Sequence, residues 1–223
     1  MKIFVISLGG SLTVPQEIDI KFLKKFKKII DAMDGKKFII IVGGGRTARN
    51  YQRAAKKIVN ITNEDLDWLG IHATRLNAHL LLTIFRDKAY YRIIKNPKEK
   101  VNFKEQILIA AGWKPGFSTD YDAVLLAKTY NSNIILNLTN IDYVYDKDPN
   151  KYKDAKPFKN ISWNDYLKLI KNNWIPGISV PFDPIASRLA KNLKFKVVVI
   201  NGKKINNLRK FLENKKFNGT IIS

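Results

Sequence analysis

Short, uninterrupted apolar runs that alternate with helical patterns constrain the fold of this chain most. Residues 2–8, 37–42, 133–138 and 195–200 form such runs, which are rich in β-branched side chains and too short for core helices. Runs of this kind predict strands buried on both faces, and the intervening helical patterns predict helices that cover those faces. The sequence therefore predicts an α/β fold with a mainly parallel central sheet.

The remaining elements complete this pattern. Apolar spacing predicts helices over about 20–33, 46–59, 63–85, 121–130, 162–170, 183–192 and 204–212. Shorter strands are predicted at 89–94, 106–110 and 219–222. Because no repeat or low-complexity linker divides the chain, we predict one three-layer α/β/α sandwich over residues 1–223.

The net charge of +21, from 40 basic and 19 acidic residues, allows two interpretations. A basic surface can bind nucleic acid, or it can attract small anionic substrates such as nucleotides. The lysines lie at helix-surface spacing, as at 21, 24, 25, 27 and 28, and no cluster of aromatic and basic residues predicts base stacking. We therefore expect small anions and no nucleic acid as partners.

Two further features of the composition bear on location. The chain has no cysteine, which excludes disulfides and thiolate metal sites and fits a reducing, cytoplasmic compartment. No apolar run approaches the ~20 residues of a membrane span, so no membrane partner is expected.

Glycine clusters follow the first two predicted strands. Gly9, Gly10 and Ser11 follow one strand, and residues 43–46 (GGGR) follow the other. Ligands of parallel sheets bind beyond the carboxyl ends of the strands, where bare backbone lets a phosphate approach the N–H groups. The alternative is that these glycines only form tight turns, but two such clusters favour phosphate binding.

A dinucleotide-binding site is the main competitor at the second cluster. Gly43, Gly45 and Ala48 satisfy a GxGxxA pattern, which is weak alone and needs an acidic residue at the end of the next strand. The acidic residues about 20 positions on fall in a helical pattern instead. Arg46 and Arg49, one helical turn apart, suit a terminal phosphate better.

Two later segments carry polar groups that suit a nucleotide. Asp67 and Gly70 share a helix face, where the carboxylate can accept bonds from ribose hydroxyls. On these residues alone, however, a solvated helix face with a packing glycine is the better explanation. Residues 116–120 (GFSTD) join a turn with hydroxyl groups to the start of a helix. Asp120 can be a helix-initiating carboxylate, or it can orient phosphate-binding groups.

The loop at 138–149 (LTNIDYVYDKDP) has a composition that can enclose a purine. Tyr143 and Tyr145 offer aromatic faces, and the backbone offers hydrogen bonds. Asp146 and Asp148 can equally be ordinary turn residues.

Taken together, these segments resemble the archaeal-type uridylate kinases of the amino acid kinase family. The matching motifs are GGSL at 9–12, VGGGRTAR at 42–49, DWLGIHATRLNA at 67–78, AGWKPGFSTDYDAVLLA at 111–127, NLTNIDYVYDKDP at 137–149 and PFDPIAS at 181–187. Each motif is modest, but their order and spacing fit over essentially the whole chain. The related isopentenyl phosphate kinases typically carry a GGGSFGH-like element where this chain has GGGRTAR, which favours a nucleotide acceptor.

The resemblance implies a UMP kinase that uses ATP and Mg²⁺, with the acceptor side in residues 1–110 and the ATP side in 111–223. Its implied catalytic residues are Gly10, Ser11 and Asp120. Its implied UMP site consists of Gly44, Arg49, Asp67, Gly70, Phe117, Ser118 and Thr119. Its implied ATP site consists of Gly9, Gly10, Gly45, Arg46, Thr139, Asn140, Tyr145, Asp146 and Asp148. No protein side chain is assigned to the metal, and family members are often hexamers built from dimers.

The chain departs from the family pattern at two places. Many members have a lysine where this chain has Ser7, and some have a second lysine where it has Val180 and Pro181. These departures leave open a nucleotide-binding sensor without turnover. A kinase of another small phosphate acceptor on the same fold is a further alternative.

Overall fold

The computed structural model describes residues 2–149, 151–173 and 180–223. The strands are β1 (Lys2–Leu8), β2 (Lys36–Val42), β3 (Ile107–Ala110), β4 (Ile134–Thr139), β5 (Val144–Tyr145), β6 (Pro157–Phe158), β7 (Asn160–Ile161), β8 (Lys196–Asn201) and β9 (Thr220–Ile222). The helices are α1 (Gly10–Thr13), α2 (Ile20–Asp31), α3 (Gly45–Ile58), α4 (Asn63–Ile84), α5 (Thr119–Thr129), α6 (Trp163–Asn173), α7 (Pro184–Asn192) and α8 (Asn206–Leu212). A 3₁₀ helix covers Gly202–Lys204.

Seven strands form the main sheet in the order β3-β2-β1-β4-β8-β9-β7. All neighbours are parallel except β8 and β9, which run antiparallel. The strand order reverses next to β1, which pairs with β2 on one side and β4 on the other. Ligands of open α/β sheets bind at such a reversal, beyond the carboxyl ends of the strands.

The side chains of β1 show how the sheet separates two cores. Phe4, Ile6 and Leu8 join the core beneath α2, α4 and α8. Val5 points to the opposite core, which α5, α6 and α7 cover. Buried residues alternate in the same way along β2, β4 and β8 because successive side chains of a strand face opposite sides. The predicted three-layer α/β/α sandwich with a mainly parallel sheet is confirmed.

The starts of the helices differ in a way that matters for function. Side chains of Asp19, Thr62, Ser118 and Asp183 accept hydrogen bonds from the first turns of α2, α4, α5 and α7. By contrast, α1 and α3 begin after glycines, and no side chain caps them. First-turn N–H groups have no partner inside a helix. The glycine clusters therefore lead into two helix starts that no side chain caps. The helix α8 also lacks a side-chain cap, but it begins after Ile205.

The structure corrects the predicted strand at residues 89–94. Only Ala89 and Ile94 bridge to β3, and the chain bends between them. The bend leaves the side chain of Tyr91 76% exposed. The tyrosine and isoleucine residues of this segment favoured a strand, but it pairs with the short edge strand β3 at only these two points.

The C-terminal helix prediction is also corrected. The predicted helix at 204–212 consists of a short 3₁₀ turn followed by α8, which begins only at Asn206. Four short elements, α1, β5, β6 and β7, were not predicted, because segments of two to four residues carry little periodic signal. The other predicted helices and strands are confirmed, with ends that differ by a few residues.

Candidate active site

The two glycine clusters pack directly against each other at the carboxyl ends of β1 and β2. A Cβ atom added to Gly10 would lie 2.2 Å from the Gly45 nitrogen and 2.6 Å from the Gly43 carbonyl carbon. Gly45 has a φ of +62°, which residues other than glycine rarely adopt. These glycines are therefore needed for tight turns, because only residues without a side chain allow the two backbones to pack this closely.

The same packing brings the first turns of α1 and α3 together. The N–H of Arg46 donates to the carbonyl of Val14 over 2.9 Å, so this amide is already used. The N–H groups of Gly10 and Ser11, in the first turn of α1, have no partner within the helix. An anion above the glycine turns would face these amides and the positive ends of two helices.

Gly9 connects the glycine turns to β4. Its N–H continues the sheet by donating to the carbonyl of Leu138 over 2.9 Å. A Cβ atom at Gly9 would lie 3.8 Å from the Cα atom of Thr139. The structure thus places Thr139, the last residue of β4, beside the first glycine turn. Asn140 follows and accepts a bond from the Thr139 hydroxyl over 3.4 Å.

A buried amide that sequence reasoning did not assign to the site holds the second glycine turn. Asn77 Nδ2 donates to the carbonyls of Gly43, over 2.8 Å, and Gly44, over 3.2 Å. Asn77 is 4% exposed and lies on α4, which packs against α3. A lone asparagine inside a helical pattern gives no signal of this kind.

Two arginines project from the first two turns of α3. Arg46 is half-buried and Arg49 is exposed. Neither guanidinium forms an ion pair or side-chain hydrogen bond with the part of the chain that the structure describes. Their charges are therefore available to an anionic ligand near the glycine turns.

Asp120 lies in the first turn of α5 and links three elements. Its Oδ1 accepts a bond from the Ser7 hydroxyl of β1 over 2.8 Å, and its Oδ2 accepts one from the N–H of Asp183, the cap of α7, over 3.1 Å. Burial raises the pKa of Asp120 to about 6, while these two hydrogen bonds oppose the shift. Ser7 thus occupies the place of the family lysine and binds the candidate catalytic carboxylate.

The loop before α5 is bound to α4 by the residues predicted for the acceptor site. Asp67 Oδ2 accepts a bond from the N–H of Gly116 over 2.7 Å. Gly116 has a φ of +84°, and the ring of Phe117 packs 4.8 Å from that of Tyr121. Only one carboxylate oxygen of Asp67 is used by this bond, so the other can accept from a ligand hydroxyl.

Gly70, one helical turn after Asp67, lies beside the second glycine cluster. A Cβ atom at Gly44 would lie 3.3 Å from the carbonyl oxygen of Gly70. Ser118 accepts a bond from the N–H of Tyr121 and caps α5, and Thr119 is the first residue of that helix. The predicted acceptor residues thus cover two adjoining places, the glycine turn and the loop before α5.

Three further side chains, which were not predicted as site residues, fix the start of this loop. The hydroxyl of Thr74 accepts from the N–H of Gly112 over 2.8 Å, and Arg75 donates to the carbonyl of Trp113 over 3.2 Å. Asp122 Oδ2 accepts from the N–H of Trp113 over 3.1 Å. Asp122 is fully buried, its Oδ1 has no partner, and burial raises its pKa to about 7.

A cavity of about 370 Å³ lies beyond β4, on the predicted ATP side. The rings of Tyr143 and Tyr145 meet edge to face at its wall, with centroids 6.2 Å apart. Thr139, Asn140, Lys147, Asp148, Val180 and Pro181 also line it. The volume lies within the range of small-molecule sites.

Asp146 lies outside this lining and has a structural contact. Its Oδ1 accepts from the N–H of Lys156 over 2.7 Å, and its own N–H donates to the Lys156 carbonyl over 3.1 Å. These bonds extend the small antiparallel sheet of β5 and β6. Within residues 2–149, 151–173 and 180–223, no group of three or more His, Asp or Glu side chains is arranged to hold a metal ion.

Two interlocked glycine turns, a carboxylate at a helix start and a separate cavity beyond the carboxyl ends of the strands give this α/β protein the layout of a small-molecule phosphotransferase. The family model of the amino acid kinase family matches residues 2–201. The chain belongs to the amino acid kinase family.

Its relatives and structural neighbours include uridylate kinases. The chain is 36% identical to "Uridylate kinase" of Thermoplasma volcanium over 95% of this chain and 93% of the relative. It is 36% identical to that of Methanocaldococcus jannaschii over 98% of both. The crystal structure of uridylate kinase from Archaeoglobus fulgidus superposes with a TM-score of 0.85 at 29% identity and full coverage of both chains.

Proposed function

We propose that this protein is a UMP kinase, which transfers the γ-phosphoryl group of ATP to UMP and yields ADP and UDP in pyrimidine nucleotide biosynthesis. The observation that carries the proposal is the joined pair of glycine turns, together with Asp120, which binds Ser7 of β1, and the 370 Å³ cavity beyond β4. The similarity to uridylate kinases over the whole chain supports UMP as the acceptor.

In this proposal, the chain positions two anions and neutralises their charge. Phosphoryl transfer depends mostly on positioning and electrostatic stabilisation. The acceptor phosphate would lie against Gly44 and Arg49, and Asp67 and Gly70 would contact the ribose. Phe117, Ser118 and Thr119 would contact uracil and phosphate. The base of ATP would lie in the cavity near Tyr145 and Asn140.

The transferred group would pass above Gly10 and Ser11, where free amides can stabilise its equatorial oxygens. Arg46 supplies positive charge there, since Ser7 provides none. Asp120 would orient the groups around the transferred phosphoryl. Mg²⁺, bound through the ATP phosphates, would neutralise their charge.

An acceptor panel at fixed ATP and Mg²⁺ tests the assignment. We expect ADP release with UMP to exceed that with CMP and AMP. Comparable rates with all three acceptors would remove UMP as the specific substrate.

A nucleotide sensor without turnover is the second candidate, because a serine bound to Asp120 occupies the place of the family lysine. Binding of ATP and UMP by calorimetry without ADP release would support the sensor. Measurable turnover would exclude it.

We also propose a homo-oligomer, a hexamer built from dimers, in the cytoplasm. None of the helices in the described residues is long and apolar enough to cross a membrane. The apolar side chains exposed on α3 and α4 support association between copies.

A further inference from the structure

A second, larger cavity lies away from the glycine turns, between α2 and the segment that joins β8 to α8. Its volume is about 620 Å³. Its floor contains the buried side chains of Ile29, Met33 and Ile205. A concave site of this size with an apolar floor has the dimensions of a small-molecule pocket.

The walls of this cavity are strongly basic. Five of its eleven lining residues are lysine or arginine, compared with 40 basic residues in the chain of 223, and no lining residue is acidic. The fraction of basic residues in the cavity lining is therefore higher than in the chain as a whole. The five are Lys25 and Lys28 on α2, and Lys203, Lys204 and Arg209 on the opposite wall.

Among the residues that the structure describes, ion pairs balance two of these five charges. Lys204 pairs with Asp142 over 2.7 Å, and Arg209 pairs with Glu213 over 2.8 Å. Lys25, Lys28 and Lys203 form no ion pair with the described residues. Like charges that converge on a concave surface raise the local potential and attract anions.

We propose that this cavity is a second ligand site, which binds a small organic anion carrying at least two phosphate groups. Lys25 and Lys28 on one wall and Lys203 on the other would contact the phosphates, while the apolar floor takes the organic part. The lining contains no aromatic residue, so the stacking on which single-stranded RNA binding depends is not available.

The site is connected to the proposed ATP side through one residue. Asp142, which pairs with Lys204 of the cavity, also accepts a bond from Asn201 Nδ2 over 3.0 Å. Asp142 directly precedes Tyr143, which lines the 370 Å³ cavity. The proposed site is thus distinct from the nucleotide-side cavity and adjoins the loop that forms it.

The test compares two pairs of charge reversals on the same helix. The first pair, Lys25→Glu with Lys28→Glu, reverses the charge of one cavity wall. The control pair, Lys21→Glu with Lys24→Glu, makes the same change in net charge at exposed positions outside the lining. Calorimetric titration with inorganic tripolyphosphate measures the dissociation constant for the parent and for both pairs.

We expect the cavity pair to raise this dissociation constant at least about tenfold and the control pair to change it less than about twofold. Equal weakening by both pairs would reduce the effect to general attraction by a basic surface and overturn the proposal. No weakening by the cavity pair would also overturn it, because the anion would then bind elsewhere, as in the nucleotide-side cavity. Binding of a single-stranded RNA that the two pairs weaken equally would likewise favour a general basic surface. Because these readouts do not depend on turnover, a failure here is distinguishable from a failure of the UMP kinase proposal.

Discussion

At the scale of single residues, Asp120 joins the elements around the proposed reaction centre. It belongs to α5, and its oxygens bind the hydroxyl of Ser7 on β1 and the N–H of Asp183 at the start of α7. A carboxylate at a helix start can have a purely structural role. The raised pKa of Asp120 and its bond to β1, the strand that leads into the first glycine turn, instead indicate a functional role.

Replacement of Asp120 by Asn separates these roles. The amide can still accept from the Asp183 N–H and donate to the Ser7 oxygen, so we expect melting to show a loss of less than about 1 kcal/mol. We expect kcat for UMP phosphorylation to fall about 100-fold or more, because the negative charge is lost. A variant that melts at a much lower temperature yet keeps its specific activity when folded would make Asp120 a structural residue.

Asp122 predicts a specific pH dependence of stability. Burial raises its folded pKa from 3.8 to about 7, so the folded state binds a proton that the unfolded state has released. The stability of the protein should therefore decrease as the pH rises from about 4 through about 7.

Asp122→Asn keeps an oxygen for the Trp113 N–H but has no charge. We expect its stability relative to the parent to increase by roughly 2 to 3 kcal/mol between about pH 5 and about pH 8. Urea unfolding at both pH values measures this difference. A constant difference would mean that Asp122 does not titrate in this range.

At the scale of elements, the two glycine turns are one structural unit. Gly10→Ala would drive a methyl group into the backbone of residues 43–45, which cannot move aside without shifting β2 or α3. We expect a loss of about 3 kcal/mol, at the upper end of overpacking effects, together with loss of turnover.

Gly70→Ala is the matched control for this prediction. Its added methyl group would meet only the flexible amide end of Gln52, at 3.2 Å, and Gly70 lies inside a helix where Ala is preferred. Thermal melting should show equal or higher stability for this variant. If both substitutions destabilised the protein equally, the close packing of the two glycine turns would not be what makes Gly10 necessary.

The sequence predicted most of this fold because buried strands and amphipathic helices carry strong periodic signals. It also predicted which loops meet, since glycines follow β1 and β2 at the carboxyl edge. The contacts of Asn77, Thr74 and Asp122 were not predictable, because each is a single polar residue within a helix. Their partners, 9 to 38 positions away along the chain, come within hydrogen-bonding distance only after folding.

At the scale of the whole molecule, a net charge of +21 opposes association between copies, so a stable oligomer needs a substantial apolar interface. Tyr51 and Ile58 on α3 and Leu76 on α4 are 64%, 79% and 64% exposed. Exposed apolar residues concentrated on packed helices are typical of protein interfaces. These helices also carry Arg49, Asp67 and Gly70, so association there would stabilise the proposed acceptor side.

We therefore expect light scattering to give a mass of about six times the 25.6 kDa chain. The double variant Ile58→Glu with Leu76→Glu should have a lower mass, because two buried charges per copy would oppose the interface. Ile185→Glu, at a position on α7 that is 51% exposed, is the control and should leave the mass unchanged. If the double variant keeps the parent mass, the interface lies elsewhere. If the parent is itself monomeric, the acceptor side must be complete within one chain, and the exposed face of α3 and α4 has no role in assembly.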